Sequence, residues 1–261
     1  MRTESAPPPP RPPSAAKSPS AGVPRIPLVD GLRGLALLGM IFFHCVWDLE
    51  FFGLLAPATT DLLVWRVFAA SVAASFLFVA GVSLCLAHAH RIHWRPWARR
   101  LAILTLAALA ITAITRVITP DEYIRFGILH MIAAASLLGL VVLRVPVWLT
   151  AAAAAAILVI NHQLSSDFLD PALWEWTGFG GGGRGASDFR PIVPWLAPAL
   201  LGIAAAQFCQ QRDLLPRLAT WQLESRAAQL LRDLGRHSLL VYLVHQPILF
   251  AAIWAGLQVM S

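Results

Sequence analysis

Apolar residues along this chain gather into bands of about 20, separated by short clusters of charge, the pattern of helices that cross a bilayer. Seven bands can be drawn, over residues 29–49, 62–87, 98–118, 127–143, 145–160, 193–209 and 238–258. They predict an all-α fold, a polytopic transmembrane helical bundle of about seven spans. The fifth band is the weakest, since it leans on the run Ala151 to Ala156, which favours helix but is only mildly apolar. Only Arg144, Val145 and Pro146 separate the fourth band from the fifth, so those two helices are expected to be antiparallel neighbours. Residues 161–192 hold no band long enough to span and read as a polar connection with Trp174, Trp176 and the Gly180–Gly183 run. In 212–236, Leu214, Leu218, Trp221, Ala228 and Leu231 alternate with charge, which suits an interfacial amphipathic helix or a solvated helical linker. Residues 1–24 are rich in proline, from Pro7 to Pro24, and read as a disordered cytoplasmic tail before a membrane domain over 25–261. That tail has no apolar core of the kind a signal peptide needs.

Composition excludes an ordinary soluble globule: 57% of residues are hydrophobic and 13% charged. A formal charge of +6 could point to nucleic acid, but the arginines sit in short loops between bands, so no nucleic-acid partner is expected. The charge reads as topology instead. With the N-terminus inside, one set of loops holds Arg91, Arg95, Arg99, Arg100, Arg144, Arg212, Arg217, Arg226, Arg232 and Arg236. The opposite set holds only Arg116, Arg125, Arg184 and Arg190. The positive-inside rule then places the N-terminus in the cytoplasm and the C-terminus outside. Cys45, Cys85 and Cys209 lie in or beside apolar bands without the spacing of a disulfide frame or a zinc site. His88, His90 and His93 have no carboxylate or thiol beside them, and no metal is expected.

Ionisable residues inside the bands carry most of the functional information, because each costs about 2.5–3.5 kcal/mol at the bilayer centre. At 100° per residue, Arg33 and His44 differ by about 20° and His44 and Asp48 by about 40°. Asp30, Arg33, His44 and Asp48 therefore form one polar stripe on the first helix, with Arg33 and His44 about 16 Å apart along it. Asp30 with Arg33 is equally readable as an interfacial ion pair. His130, one turn into the fourth span, is expected at the depth of His44, with Arg66 in the same layer or snorkelling outward. His245, before Pro247, is expected about two turns in from the cytoplasmic side, too near that side to pair easily with His44 or His130. Trp195, between Pro194 and Pro198, suits either an interfacial aromatic belt or a kink that faces substrate.

The stretch Arg25-Ile-Pro-Leu-Val-Asp30-Gly-Leu-Arg33-Gly with His44 resembles the opening helix of membrane acyltransferases, of both the heparan-alpha-glucosaminide N-acetyltransferase catalytic-domain family and the acyltransferase-three family. Phe126-Gly-Ile-Leu-His130, Pro194-Trp195-Leu-Ala-Pro198 and Leu234 through His245-Gln246-Pro247 resemble the first family, in the expected order. The resemblance implies a bacterial-type enzyme of the inner membrane, lying among membrane lipid. It implies acetyl-CoA as donor, taken from the cytoplasm, and an acceptor sugar or glycan of the envelope on the other side. On that reading Arg33, with Asp30, holds a CoA phosphate. His44 is general base or transient acyl carrier, Asp48 orients its ring, and His130 assists. Arg66, Trp195 and His245 contribute to substrate binding. The lysosomal enzyme of the family has no His at the position of His44 and draws its catalytic His from beyond the first helix. Residues 49–65 here contain no His, and His44 matches the acyltransferase-three pattern instead. Two other readings stay open: a non-catalytic carrier or transporter-like binder of lipid or glycan, and a b-type haem protein using two of His44, His130 and His245.

Overall fold

A computed structural model describes residues 26–89, 91–121, 123–160, 174–179, 188–220 and 225–260. Among these the chain is helical throughout, apart from loops and turns, with no strand. The helices are α1 (Pro27–Phe51), α2 (Leu63–Ala87), α3 (Trp94–Ile118), α4 (Ile128–Val142), α5 (Val147–Ile160), α6 (Ile192–Gln211), α7 (Leu215–Thr220), α8 (Arg226–Arg236) and α9 (Ser238–Met260). Each band drawn on the sequence is a helix to within a few residues. Five of them, α1, α2, α3, α6 and α9, are long and apolar enough to cross a membrane, whereas α4 and α5 are shorter apolar helices. At 15 residues α4 is about 22 Å long, less than a hydrocarbon core of about 30 Å. The proline-rich tail, His90, the Gly180–Gly183 run and Trp221 lie outside the described residues.

Small residues set the packing at the centre. A Cβ on Gly81 of α2 would strike the Ala199 carbonyl of α6, and one on Gly202 would strike the Phe78 carbonyl of α2. The two backbones therefore nearly touch, the close approach that small residues permit between helices in lipid. Leu84 and Cys85 of α2 pack there with Ala154 of α5 and Leu200, Ile203 and Ala206 of α6. On the other flank, Ala73 and Leu77 meet Ile128, Met131 and Ala135 of α4. Large apolar side chains such as Leu35, Phe42, Leu106, Val141 and Ile248 face outward, as a lipid solvent allows. The tight α4–α5 connection is held by Gln207 of α6, whose Nε2 donates to the carbonyls of Val142, Leu143 and Val145 at 3.1, 3.2 and 3.1 Å.

Within 212–236, α8 is neither a free linker nor a helix held by lipid alone. Ser225 caps α8 by accepting from the Ala228 N–H at 3.2 Å. The helix then lies against α1, where a Cβ on Gly34 would strike the Leu231 carbonyl and one on Gly235 the Asp30 carbonyl. Only His237 separates α8 from α9, so α9 sets out beside the first turns of α1 and runs parallel to it. Contacts of Arg33 with Gly235, His44 with His245, Asp48 with Gln246 and Phe52 with Phe250 record that register along the whole pair.

Gly202→Leu should therefore destabilise the bundle by about 2 kcal/mol or more by overpacking the α2–α6 contact. Gly256→Leu, at a position open to its surroundings, should cost little. Thermal unfolding of both variants in detergent reads the difference, and equal midpoints would refute the close α2–α6 packing.

Candidate active site

Two cavities lie along α1. The first, about 50 Å³, is lined by Met40, Phe43, His44 and Trp47 of α1, Ala69, Val72, Ala73 and Phe76 of α2, and Ile128 at the start of α4. Asp188, Arg190 and Tyr242 complete it. The second, about 770 Å³, is lined by Arg33, Arg95, Pro96, Arg99, Arg100, Ile103, Leu104, Arg236, Ser238 and Leu239. Leu239 and Tyr242, one turn apart on α9, belong to one cavity each. Tyr242 packs with Leu239 against Leu104, Ala108, Leu129 and Ala133, and so stands between the two spaces.

The polar stripe of α1 exists, but its partners differ from those expected. Arg33 donates to Asp30 Oδ1 at 2.9 Å, to Ser83 Oγ at 2.7 Å and to the Gly235 carbonyl at 3.4 Å, which ties α1 to α2 and α8 at the edge of the arginine-lined cavity. Asp48 is fully buried and accepts from Gln246 Nε2 at 2.7 Å. It meets α9 instead of holding the His44 imidazole. The His44 ring packs edge-on against the His245 ring, centroids 4.9 Å apart. His245 is thus far deeper relative to α1 than counting from the start of its own span implies. The α8–α1 contact sets Gly235 beside Asp30 and Gly34; α9 begins three residues later, runs parallel to α1 and brings His245 to His44. The His245 Nδ1 lies 2.6 Å from the Tyr242 carbonyl; as donor to it, this nitrogen carries the proton, leaving the lone pair on a buried Nε2.

His130 lies near the depth of His44, since Ile128 two residues earlier lines the same cavity, but its ring turns the other way. Its Nδ1 accepts from the Gly127 N–H at 3.3 Å, its Nε2 lies 3.4 Å from Thr112 Oγ1 of α3, and it packs on Phe126. That is the geometry of a helix cap. Arg66 is exposed on the first turn of α2 and does not line the cavity, although Ala69 one turn further does. Trp195 reaches it indirectly: the Arg190 guanidinium lies over its ring at 4.8 Å.

Two residues of the His44 cavity, Asp188 and Arg190, escaped sequence reading. Asp188 Oδ2 accepts from the Ile128 N–H at 3.1 Å and from the Tyr242 hydroxyl at 3.2 Å, tying the entry to α6 to both α4 and α9. Burial raises the Asp188 carboxyl above the usual carboxylate range, and Arg190 opposes that rise. Arg190 is joined to the α4 entry by its backbone N–H, which donates to the Phe126 carbonyl at 2.9 Å. The signal available was the pair of charges immediately before a span. In the second cavity Arg95, Arg99 and Arg100 were read only as topology, although Arg95 and Arg99 are four residues apart and share a helix face. Among the described residues none of these three has an acidic partner within 4 Å, whereas Arg33 and Arg236 both have Asp30. No group of three or more His, Cys, Asp or Glu suited to a metal occurs among the described residues.

The model of the family described as heparan-alpha-glucosaminide N-acetyltransferase, catalytic, matches residues 25–247. The chain belongs to that family. No curated protein and no solved structure matches it significantly. The match begins just before α1 and ends just after His245, so both cavities lie inside it. This member of a membrane acetyltransferase family is thus an integral membrane protein by its apolar helices and transferase-like by descent.

Replacing His130 separates a structural from a chemical role. His130→Ala should lower stability by about 1 kcal/mol through loss of the α4 cap. His44→Gln, which touches no cap, should change it much less. Denaturation in detergent measures both, and a His130→Ala protein as stable as wild type would remove the capping role.

Proposed function

We propose that this protein transfers an acetyl group from cytoplasmic acetyl-CoA to an amine or hydroxyl of an envelope sugar or glycan, across a bacterial inner membrane. The observation that carries the reading is the pair of cavities on one helix, cationic at Arg33 and imidazole-lined at His44. Eleven residues of α1 separate these two side chains, about 16 Å, comparable with an extended pantetheine arm.

Arg95, Arg99 and Arg100, free of carboxylate partners within 4 Å among the described residues, receive the phosphates of the donor's nucleotide, with Arg33 and Asp30 shaping the edge of that cavity. The arm then passes Leu239 and Tyr242 to bring the thioester beside His44. His44 takes the proton of the attacking amine or hydroxyl and returns it to the leaving thiolate. His245, in contact with the His44 ring, fixes its orientation, and Asp48 with Gln246 locks α1 to α9 one turn beyond. A non-catalytic binder of the same ligands would use the same cavities without the proton transfer.

The topology that fits this chemistry has seven spans, with the N-terminus and the arginine cavity inside and the C-terminus outside. The parallel course of α1 and α9 supports it, since an odd number of alternating crossings returns the last span to the direction of the first. Reporter fusions in 88–93 should read cytoplasmic and fusions in 174–179 external; the same sidedness at both would end this topology.

Purified protein should bind CoA, and Arg99→Ala with Arg100→Ala should weaken that binding at least about tenfold through lost charge-assisted contacts. His44→Gln should leave CoA binding intact and lower transfer of labelled acetyl to membrane or glycan acceptors by about 10²-fold. Tight CoA binding with transfer unaffected by His44→Gln would defeat the proposed chemistry.

A further inference from the structure

The cavity beside His44 contains a cation to which proton transfer gives no task. Arg190 lines it together with His44, Asp188 and Tyr242. Asp188, two residues away, spends its Oδ2 on the Ile128 N–H and the Tyr242 hydroxyl. Among the described residues no carboxylate lies within 4 Å of the Arg190 guanidinium. Its Nη1 donates to the Phe189 carbonyl at 2.8 Å, while the buried Nε has no partner among the described residues. Nor is the group loose: the Trp195 face holds it from one side at 4.8 Å, and its backbone is anchored on Phe126. A fixed guanidinium with an uncommitted Nε–H, lining one cavity with a proton acceptor, is a site prepared for negative charge.

We propose that Arg190 is the oxyanion-stabilising residue of acetyl transfer, an inference that rests on the acetyl-CoA reading above. The acceptor nitrogen or oxygen forms its bond to the thioester carbonyl carbon while its proton passes to His44. The carbonyl π pair moves onto oxygen, and the Arg190 N–H groups hold that oxyanion. As the pair returns to carbon the C–S bond breaks, the thiolate leaves, and His44 hydrogen protonates it. The products are the acetylated acceptor and CoA, with no other reactant needed. Trp195 is a positioning residue in this step, acting only through the guanidinium that it carries.

The test uses the full chain in nanodiscs, acetyl-CoA as donor and methyl α-D-glucosaminide as probe acceptor, with release of the CoA thiol as readout. Arg190→Lys and Arg190→Ala should lower kcat by about 10²–10³-fold while KM for both substrates moves by less than about threefold. Added guanidinium ion should restore at least about tenfold of the kcat lost in Arg190→Ala and nothing in His44→Gln. Unchanged CoA binding in the Arg190 variants certifies an intact fold. A kcat within a few-fold of wild type, a rise confined to the KM for the glucosaminide, or no rescue by guanidinium would overturn the assignment. A wild-type protein whose CoA release is absent, or is equal in His44→Gln, would instead overturn the acetyl-transfer reading and this inference with it.

Discussion

The structure depends on the parallel pairing of α1 with α9, two helices at opposite ends of the chain. It is fixed at one end by backbone contact of Gly34 with Leu231 and of Gly235 with Asp30, where neither glycine leaves room for a side chain. From there every polar residue on the inner face of α1 meets a partner set by that register: Arg33 at Gly235, His44 at His245, Asp48 at Gln246. In a lipid environment a carboxylate and an imidazole on one stripe are expensive unless their neighbours are polar too. Helix α9 supplies those neighbours, and α8 supplies the register.

A second consequence is a separation of charge along the same helix. The end carrying Arg33 opens on a cluster of guanidinium groups, three of them without acidic partners within 4 Å among the described residues. The end carrying His44 opens on a smaller space with one guanidinium and one buried carboxyl. Tyr242 stands between, braced by Asp188. Polyanionic and uncharged parts of one long substrate would thus be sorted by the protein itself, the phosphates retained at one end and the reacting carbonyl delivered at the other.

Much of this was legible in the sequence, because lipid imposes a simple rule on helices. Band lengths located all seven apolar helices, and the 100° rotation per residue placed Arg33, His44 and Asp48 on one face. The turn at Arg144–Pro146 was equally plain, but α4 and α5 do not pack on each other as antiparallel neighbours: each packs on α6, where Gln207 clasps the turn. What failed was depth between helices. Counting each span from its own start placed His245 too shallow, since nothing local announces that α8 packs on α1 and starts α9 beside the first turns of that helix. Asp48 was assigned to His44 from its spacing of four, yet the partner it found lies 198 residues away. His130 looked catalytic because it is a histidine near the right depth, and only the direction of its ring toward Thr112 and Gly127 shows a cap. Asp188 and Arg190 sit outside any periodic element, so no pattern could assign them to the cavity.

The central claim, that the arginine cavity and the His44 cavity hold two ends of one donor, is tested most directly by a cryo-EM structure of the protein with CoA. The account requires phosphate density against Arg95, Arg99 and Arg100 and the thiol sulfur beyond Tyr242, against the His44 ring. CoA bound elsewhere, or bound in the arginine cavity with its thiol directed away from His44, would contradict it.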